Sequence, residues 1–278
     1  MAAAYVGRSA VNIFYQESTR TRISFELAEV AWGMSYSSTE NARAFSSASK
    51  GESLEHTIQV INGYNPDIIV LRHDKTGGAK RAANVSRVPI INAGDGGGEH
   101  PTQAYLDTFT IWEHLSRLDN FTLTFMGDLK YGRTVRSLVH VLTKGNNNHF
   151  NFVSVPELSL SDDIKAILDA SGNTYDEYFD AKSLRGLLPE TDILYVTRSQ
   201  TNLGAPKKIK DAKKFRVTQN SARLLPSHAG IMHPMPINEE ITRAVDQHPR
   251  AIYFKQAGNG LYVRMALIEQ ILEGKLKL

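Results

Sequence analysis

Apolar and polar positions along the chain group into six short runs rich in β-branched and aromatic residues: Val11 to Tyr15, Ile68 to Leu71, Val88 to Ile91, Leu123 to Met126, Phe152 to Val155 and Ile193 to Val196. Helical periodicity fills the stretches between them, and this alternation predicts parallel sheets flanked by helices. Pro101 to Leu115 predicts one such helix, with Leu106, Phe109, Thr110 and Ile111 on one side and a proline at its first position. A domain junction is expected along or just after it. Gly260 to Leu272 predicts an amphipathic closing helix carrying Leu261, Met265, Ile268 and Leu272 at helical spacing. Gly94 to Gly98 and Asn146 to Asn148 read as loops.

A chain of 278 residues exceeds what one hydrophobic core usually organises, which favours two domains and a cleft. With 41% hydrophobic and 22% charged residues, the composition is that of a soluble globular protein, and no apolar run reaches bilayer-spanning length. Met1 to Ala10 lacks the long hydrophobic segment of a secretion signal, so a cytoplasmic location is expected. The absence of cysteine excludes disulfides, thiolate catalysis and cysteine-ligated metal sites. A net charge of +3 with dispersed basic residues argues against a nucleic-acid partner, and the cluster from Lys207 to Lys214 reads as a solvated loop face.

Candidate chemistry collects after predicted strands. Ser18-Thr19-Arg20-Thr21-Arg22 follows the first run and opens a helical segment carrying Ile23, Phe25, Leu27 and Val30. Exposed N–H groups and the positive dipole end favour an anion there, with hydroxyls to donate hydrogen bonds and an arginine to add charge. A Ser/Thr cap with solvated arginines is the plain alternative. Arg72-His73 ends the second run, and His100-Pro101-Thr102-Gln103 follows the glycine-rich loop. Open α/β sheets bind ligands beyond the C-terminal ends of their strands, so these clusters are candidates for one crevice. An arginine and a neutral imidazole aimed at one carbonyl oxygen would stabilise the charge that develops in acyl transfer.

In the second half, Gly127-Asp128-Leu129-Lys130-Tyr131-Gly132-Arg133-Thr134 follows the fourth run, and Thr197-Arg198-Ser199-Gln200 follows the sixth. Two guanidinium forks suit a ligand with two carboxylates, against the alternative of surface salt bridges. The first segment misses a phosphate-binding P-loop because Arg133 stands where lysine is required, which leaves a nucleotide triphosphatase as a weak alternative. Gly94 to Glu99 fails the dinucleotide fingerprint at its last place.

Taken in order, Ser18 to Arg22, Lys50-Gly51-Glu52, Arg72-His73, Asn92 to Gly96, His100 to Gln103, Gly127 to Thr134, Thr197 to Gln200, His233-Pro234-Met235-Pro236 and Gln256 to Gly260 resemble the catalytic chains of the aspartate carbamoyltransferases, within the aspartate/ornithine carbamoyltransferase superfamily. The resemblance runs from about Phe14 to the end. It implies an α/β fold of two doubly wound domains with parallel sheets flanked by helices: residues 1–116 binding carbamoyl phosphate and completed by a returning C-terminal helix, 258–278, and residues 117–257 binding aspartate. It implies transfer of a carbamoyl group from carbamoyl phosphate to the amino group of L-aspartate, the second step of pyrimidine synthesis, with no metal and no cofactor. Ser18, Thr19, Arg20 and Thr21 would hold the phosphate. Thr21, Arg72 and His100 would polarise the carbonyl, and Gln103 would bind the amide. Arg133, Arg198 and Gln200 would bind the aspartate carboxylates, with backbone around Pro234 and Met235 contacting both substrates. Ser46 and Lys50 match residues that reach a neighbouring subunit's site, Lys50 toward aspartate, which implies a homotrimer with shared active sites and leaves regulatory chains open. A carbamoyltransferase for another amino acid, or a non-catalytic homologue that binds carbamoyl phosphate, is the alternative.

The sequence departs from the family pattern at a few places. Seventeen residues precede Ser18, where the family usually has more. Thr201 to Gly204 replaces a charged stretch, Gln16 stands at a usually acidic position, and Ile237 follows Pro236 where arginine is usual. These changes leave room for weaker aspartate binding, a different amine or different regulation.

Overall fold

In the computed structural model, which describes residues 4–198 and 215–275, every strand pairing is parallel. The chain divides into two compact units, Met1–Thr102 with Gly258–Leu278, and Gln103–Ala257.

The first unit comprises β1 (Ser9–Phe14), α1 (Thr19–Ala31), β2 (Ser35–Thr39), α2 (Ala42–Phe45), a 3-10 turn Ser47–Lys50, α3 (Leu54–Asn62), β3 (Ile68–His73), α4 (Gly78–Val85) and β4 (Ile90–Asp95). Its sheet order is β2-β1-β3-β4. Parallel strands must be covered on both faces, and alternate residues of β3 divide accordingly. Ile68 and Val70 pack with Phe25 and Ala28 of α1 and with Met265, Ile268 and Ile271 of the C-terminal helix; Ile69 and Leu71 pack with Leu54, Ile58 and Ile61 of α3. Trp32 Nε1 fixes the C-terminal helix further by donating to the Met265 carbonyl at 2.9 Å.

The buried face of α1 differs from its apolar pattern. Thr21, Phe25, Ala28 and Glu29 point inward, while Ile23, Leu27 and Val30 are exposed. The inward set is itself spaced for one helical face. It contains a fully buried carboxyl: Glu29 Oε2 accepts from Asn12 Nδ2 on β1 at 2.9 Å. Burial, resisted by that bond, pushes the Glu29 pKa up to about 8.

The second unit contains α5 (Pro101–Leu115) from Gln103 onward, β5 (Thr122–Met126), α6 (Arg133–Leu142), β6 (His149–Val153), α7 (Asp162–Asp169), β7 (Thr174–Tyr178), α8 (Ala181–Leu187), β8 (Ile193–Val196), α9 (Gln219–Ala222), β9 (Gly230–Met232) and the start of α10 (Tyr253–Leu272). Sheet order is β7-β6-β5-β8-β9. Leu123, Phe125, Phe150, Phe152 and Tyr195 fill one face, and Met126, Val153, Leu194 and Val196 fill the other. Asp107 of α5 is a buried hub that accepts from Gln103 Nε2 at 2.9 Å, Gln256 Nε2 at 2.6 Å and the Tyr195 hydroxyl at 2.7 Å. Burial and the Asp107 charge raise the Tyr195 pKa well above its usual value, so the phenol stays a donor.

Several boundaries differ from those the sequence predicts. β4 continues through Gly94 and Asp95, which had read as loop, because Asp95 is held there by N–H groups of Gly77 and Gly78 at 2.9 Å each. β6 begins at His149, ahead of the expected Phe152, and Val155 leads into a 3-10 turn. The last helix starts at Tyr253, ahead of Gly260, despite the helix-weakening Gly258 and Gly260. Among the described residues no helix is long and apolar enough to cross a membrane.

Candidate active site

In the first unit the order β2-β1-β3-β4 places the topological switch between β1 and β3, and a crevice opens beyond the strand ends at such a point. The candidate residues stand there. Phe14 registers with Arg72, and the Tyr15 N–H donates to the Arg72 carbonyl at 2.8 Å, so the chain leaves β1 beside Arg72 and turns into α1. Ser18 occupies the N-cap position but makes no side-chain capping bond; its N–H donates to Glu40 Oε1 at 3.1 Å. The capping alternative for its hydroxyl is therefore not realised. Thr21 is buried in the first turn, and Thr19 and Arg20 are exposed. Arg22 is paired with Glu26 at 2.8 Å and with Glu40 at 3.3 Å, and Arg20 is exposed in the first turn.

Arg72 is half-buried, with Nη1 donating to the Ala93 carbonyl of β4 at 3.2 Å. His100 is buried just before α5. His73, the neighbour of Arg72, turns inward: its Nδ1 accepts from the Lys75 N–H at 3.1 Å and its ring packs on Tyr15. Ser46 hydrogen-bonds the Ala42 carbonyl, and Lys50 is exposed at the end of the 3-10 turn.

In the second unit the switch lies between β5 and β8. Gly127 leaves β5 at φ +118°, and a Cβ there would collide with the Thr197 carbonyl oxygen, so only glycine permits this close approach. Asp128 Oδ1 then accepts from the Tyr131 N–H at 2.9 Å, shaping the loop that delivers Arg133 to the first position of α6. Arg198 follows β8 and lines a cavity of about 480 Å³ with Asp128, Ser154, Arg216 and Glu240, among others. Arg133 is not among the lining residues. Gln200, with Thr201 to Gly204 and the Lys207 to Lys214 cluster, lies outside the described residues.

Pro234 and Met235 are held by His233, which sequence reasoning quoted in a motif but gave no role. Its ring is buried, Nδ1 accepts from the Met235 N–H at 2.8 Å, and Nε2 therefore donates to Glu240 at 2.8 Å. Met235 sits at φ +58°, a conformation this ring–backbone bond helps to hold. Burial would raise the Glu240 pKa, but the hydrogen bonds from His233 and the Asn238 N–H outweigh it and leave the carboxyl below its ordinary value. Asp95, which orders the loop after β3, was likewise quoted within a motif but given no role; its signal was an acidic residue inside a glycine run.

Two doubly wound parallel units with arginines at their switch points define an α/β ligand-binding class, and comparison with known proteins narrows it. The chain belongs to the aspartate/ornithine carbamoyltransferase family: residues 2–113 match its carbamoyl-P binding domain and residues 119–271 its Asp/Orn binding domain. A chloroplastic aspartate carbamoyltransferase of Oryza sativa subsp. japonica is 46% identical over 272 residues, covering 97% of this chain and 74% of the relative. The catalytic subunit of M. jannaschii aspartate transcarbamoylase superposes with a TM-score of 0.88 at 41% identity, covering 98% and 87% of the two chains. The Trypanosoma cruzi aspartate transcarbamoylase, solved with carbamoyl aspartate and phosphate, gives a TM-score of 0.89 at 33% identity over 97% and 85%.

Proposed function

We propose that the chain transfers the carbamoyl group of carbamoyl phosphate to L-aspartate, giving N-carbamoyl-L-aspartate and phosphate. The observation that carries this reading is the location of Ser18 to Thr21 and Arg72 at one switch point and of Arg198 at the other, in a member of this family. Residues 1–116 with 258–278 would bind carbamoyl phosphate and residues 117–257 aspartate. Ser18, Thr19, Arg20 and Thr21 take the phosphate. Thr21, Arg72 and His100 donate to the carbonyl oxygen as it becomes a tetrahedral oxyanion, and Gln103 receives the amide. Arg133, Arg198 and Gln200 bind the aspartate carboxylates, and backbone around Pro234 and Met235 touches both substrates.

The neutral amine attacks the carbonyl carbon, a C–N bond forms, and the C–O bond to phosphate breaks as phosphate leaves with the electron pair and takes up the proton that the amine loses. No covalent enzyme intermediate is required, so catalysis is positioning and electrostatics. Ser46 and Lys50 complete the site of a neighbouring copy in a homotrimer, and the enzyme works in the cytoplasm; sedimentation and cell fractionation test these two points.

The decisive assay supplies carbamoyl phosphate with aspartate and measures carbamoyl aspartate and phosphate. Turnover with ornithine or another amine in place of aspartate would overturn the acceptor, and binding of carbamoyl phosphate without turnover would overturn the enzyme.

A further inference from the structure

A glutamine can meet a ligand in two ways: its carbonyl oxygen accepts from an N–H group, or its own NH2 group donates. The nitrogen of a carbamoyl group carries two N–H donors and offers no acceptor, so only the carbonyl end of Gln103 suits it. Asp107 decides which end is presented. It stands one turn further along α5, where residues i and i+4 share a face.

Asp107 is fully buried, and its carboxylate only accepts. Two of the donors aimed at it are fixed without reference to Gln103. Gln256 Oε1 accepts from the His233 N–H at 2.8 Å, which leaves Gln256 Nε2 for Asp107 Oδ1 at 2.6 Å, and the Tyr195 hydroxyl donates to Oδ2 at 2.7 Å. Gln103 meets Oδ1 at 2.9 Å, and two acceptor oxygens at that distance would repel, so Nε2 is the end that faces Asp107. All these residues belong to the second unit.

We propose that Asp107 is a positioning residue that locks the Gln103 amide with its carbonyl turned to the ligand, and that this lock lets the site tell a carbamoyl group from an acetyl group. The inference rests on the role given to Gln103 above and deepens it. A methyl group, close in size to NH2, leaves the fixed oxygen without a donor, and an acceptor stripped of its partner is costly. Freed from Asp107, Gln103 must be ordered by the ligand itself and can swing away from a methyl.

The test reads the ratio of the acetyl phosphate inhibition constant, measured against carbamoyl phosphate, to the carbamoyl phosphate KM. Full-length protein is used at saturating aspartate, with folding checked by circular dichroism. Asp107→Ala should lower the ratio about tenfold, the scale of ordering one long side chain. Asp107→Asn should hold it within about threefold, because Oδ1 remains for both glutamines and the Tyr195 hydroxyl can turn to accept from the new Nδ2. Tyr195→Phe strips another donor from the same carboxylate and should hold the ratio within about twofold, as should Asp107→Ala introduced into Gln103→Ala. If Asp107→Ala does not fold, Asp107→Leu in the Tyr195→Phe background replaces both members of that pair by apolar groups and should show the same loss. An unchanged ratio on removal of the carboxylate overturns the role, as does an asparagine variant as poor as alanine, an equal fall in Tyr195→Phe, or an additive fall in the Gln103→Ala background. If wild type forms no carbamoyl aspartate, the reading of the reaction falls and this inference with it; if it does while the ratio stays put, only the role of Asp107 falls.

Discussion

Replacing Glu29 with glutamine isolates the energetic effect of one buried carboxyl. Glu29 is fully buried on α1, and its Oε1 and the Oδ1 of its neighbour Asn12 have no hydrogen-bond partner among the described residues. Its pKa rises from an ordinary 4.5 to about 8, so the folded protein holds a proton here that the unfolded chain releases at lower pH. Because the folded pKa is the higher one, the stabilisation is complete below 4.5 and is lost as pH climbs through about 8. At ~1.4 kcal/mol per pH unit, the whole window amounts to about 5 kcal/mol. Glu29→Gln keeps an acceptor for Asn12 Nδ2 but cannot titrate. Urea unfolding of both proteins at pH 5, 7 and 8.5, followed by far-UV circular dichroism, should show the variant gaining on wild type by about 3–5 kcal/mol between the first pH and the last. At pH 5 the variant should be the weaker by about 1–2 kcal/mol, because the amide adds a second N–H to a dry site. Parallel stability curves for the two proteins across this range would refute the assignment of a protonated, buried Glu29.

Arg72→Ala should lower kcat by about a hundredfold to a thousandfold, the scale of one oxyanion donor, in a steady-state assay of carbamoyl aspartate formation; wild-type turnover would remove Arg72 from the chemistry. Mixing inactive Lys50→Ala chains with inactive Arg72→Ala chains should restore part of the activity through hybrid sites, and demonstrably mixed trimers with no activity would argue against sharing. Gly127→Ala should destabilise the protein by about 1–3 kcal/mol, read from the urea midpoint, because alanine must enter a positive-φ position against the Thr197 carbonyl; an unchanged midpoint would show that the loop yields.

The central strands were readable because burial on both faces forces apolar residues into nearly every position, as Ile68 to Leu71 and Ile193 to Val196 show. The outer strands were not. β2 and β7 sit at sheet edges with sequences SYSST and TYDEY and no fully buried residue, and β9 is three residues long. Such strands form because a neighbour offers its backbone, a cause that leaves little trace in the residues themselves. At the candidate site, motifs such as Ser18 to Arg22 and Arg72-His73 stood out by their position after strands. The inward face of α1 misled, because Glu29 reads as solvent-facing until Asn12 is known to lie against it.

The closing helix also bears on synthesis. Met265, Ile268 and Ile271 fill the core between α1 and β3, yet they are translated after all 155 residues of Gln103–Ala257. At a ribosomal pace of about 5–20 residues per second, the earlier half waits roughly ten seconds or more with that apolar surface uncovered. The inserted unit, contiguous in the chain, can complete itself first. Nascent molecules should therefore mature from the middle outward, and the earliest chaperone clients among them should be those whose opening residues have emerged without their last.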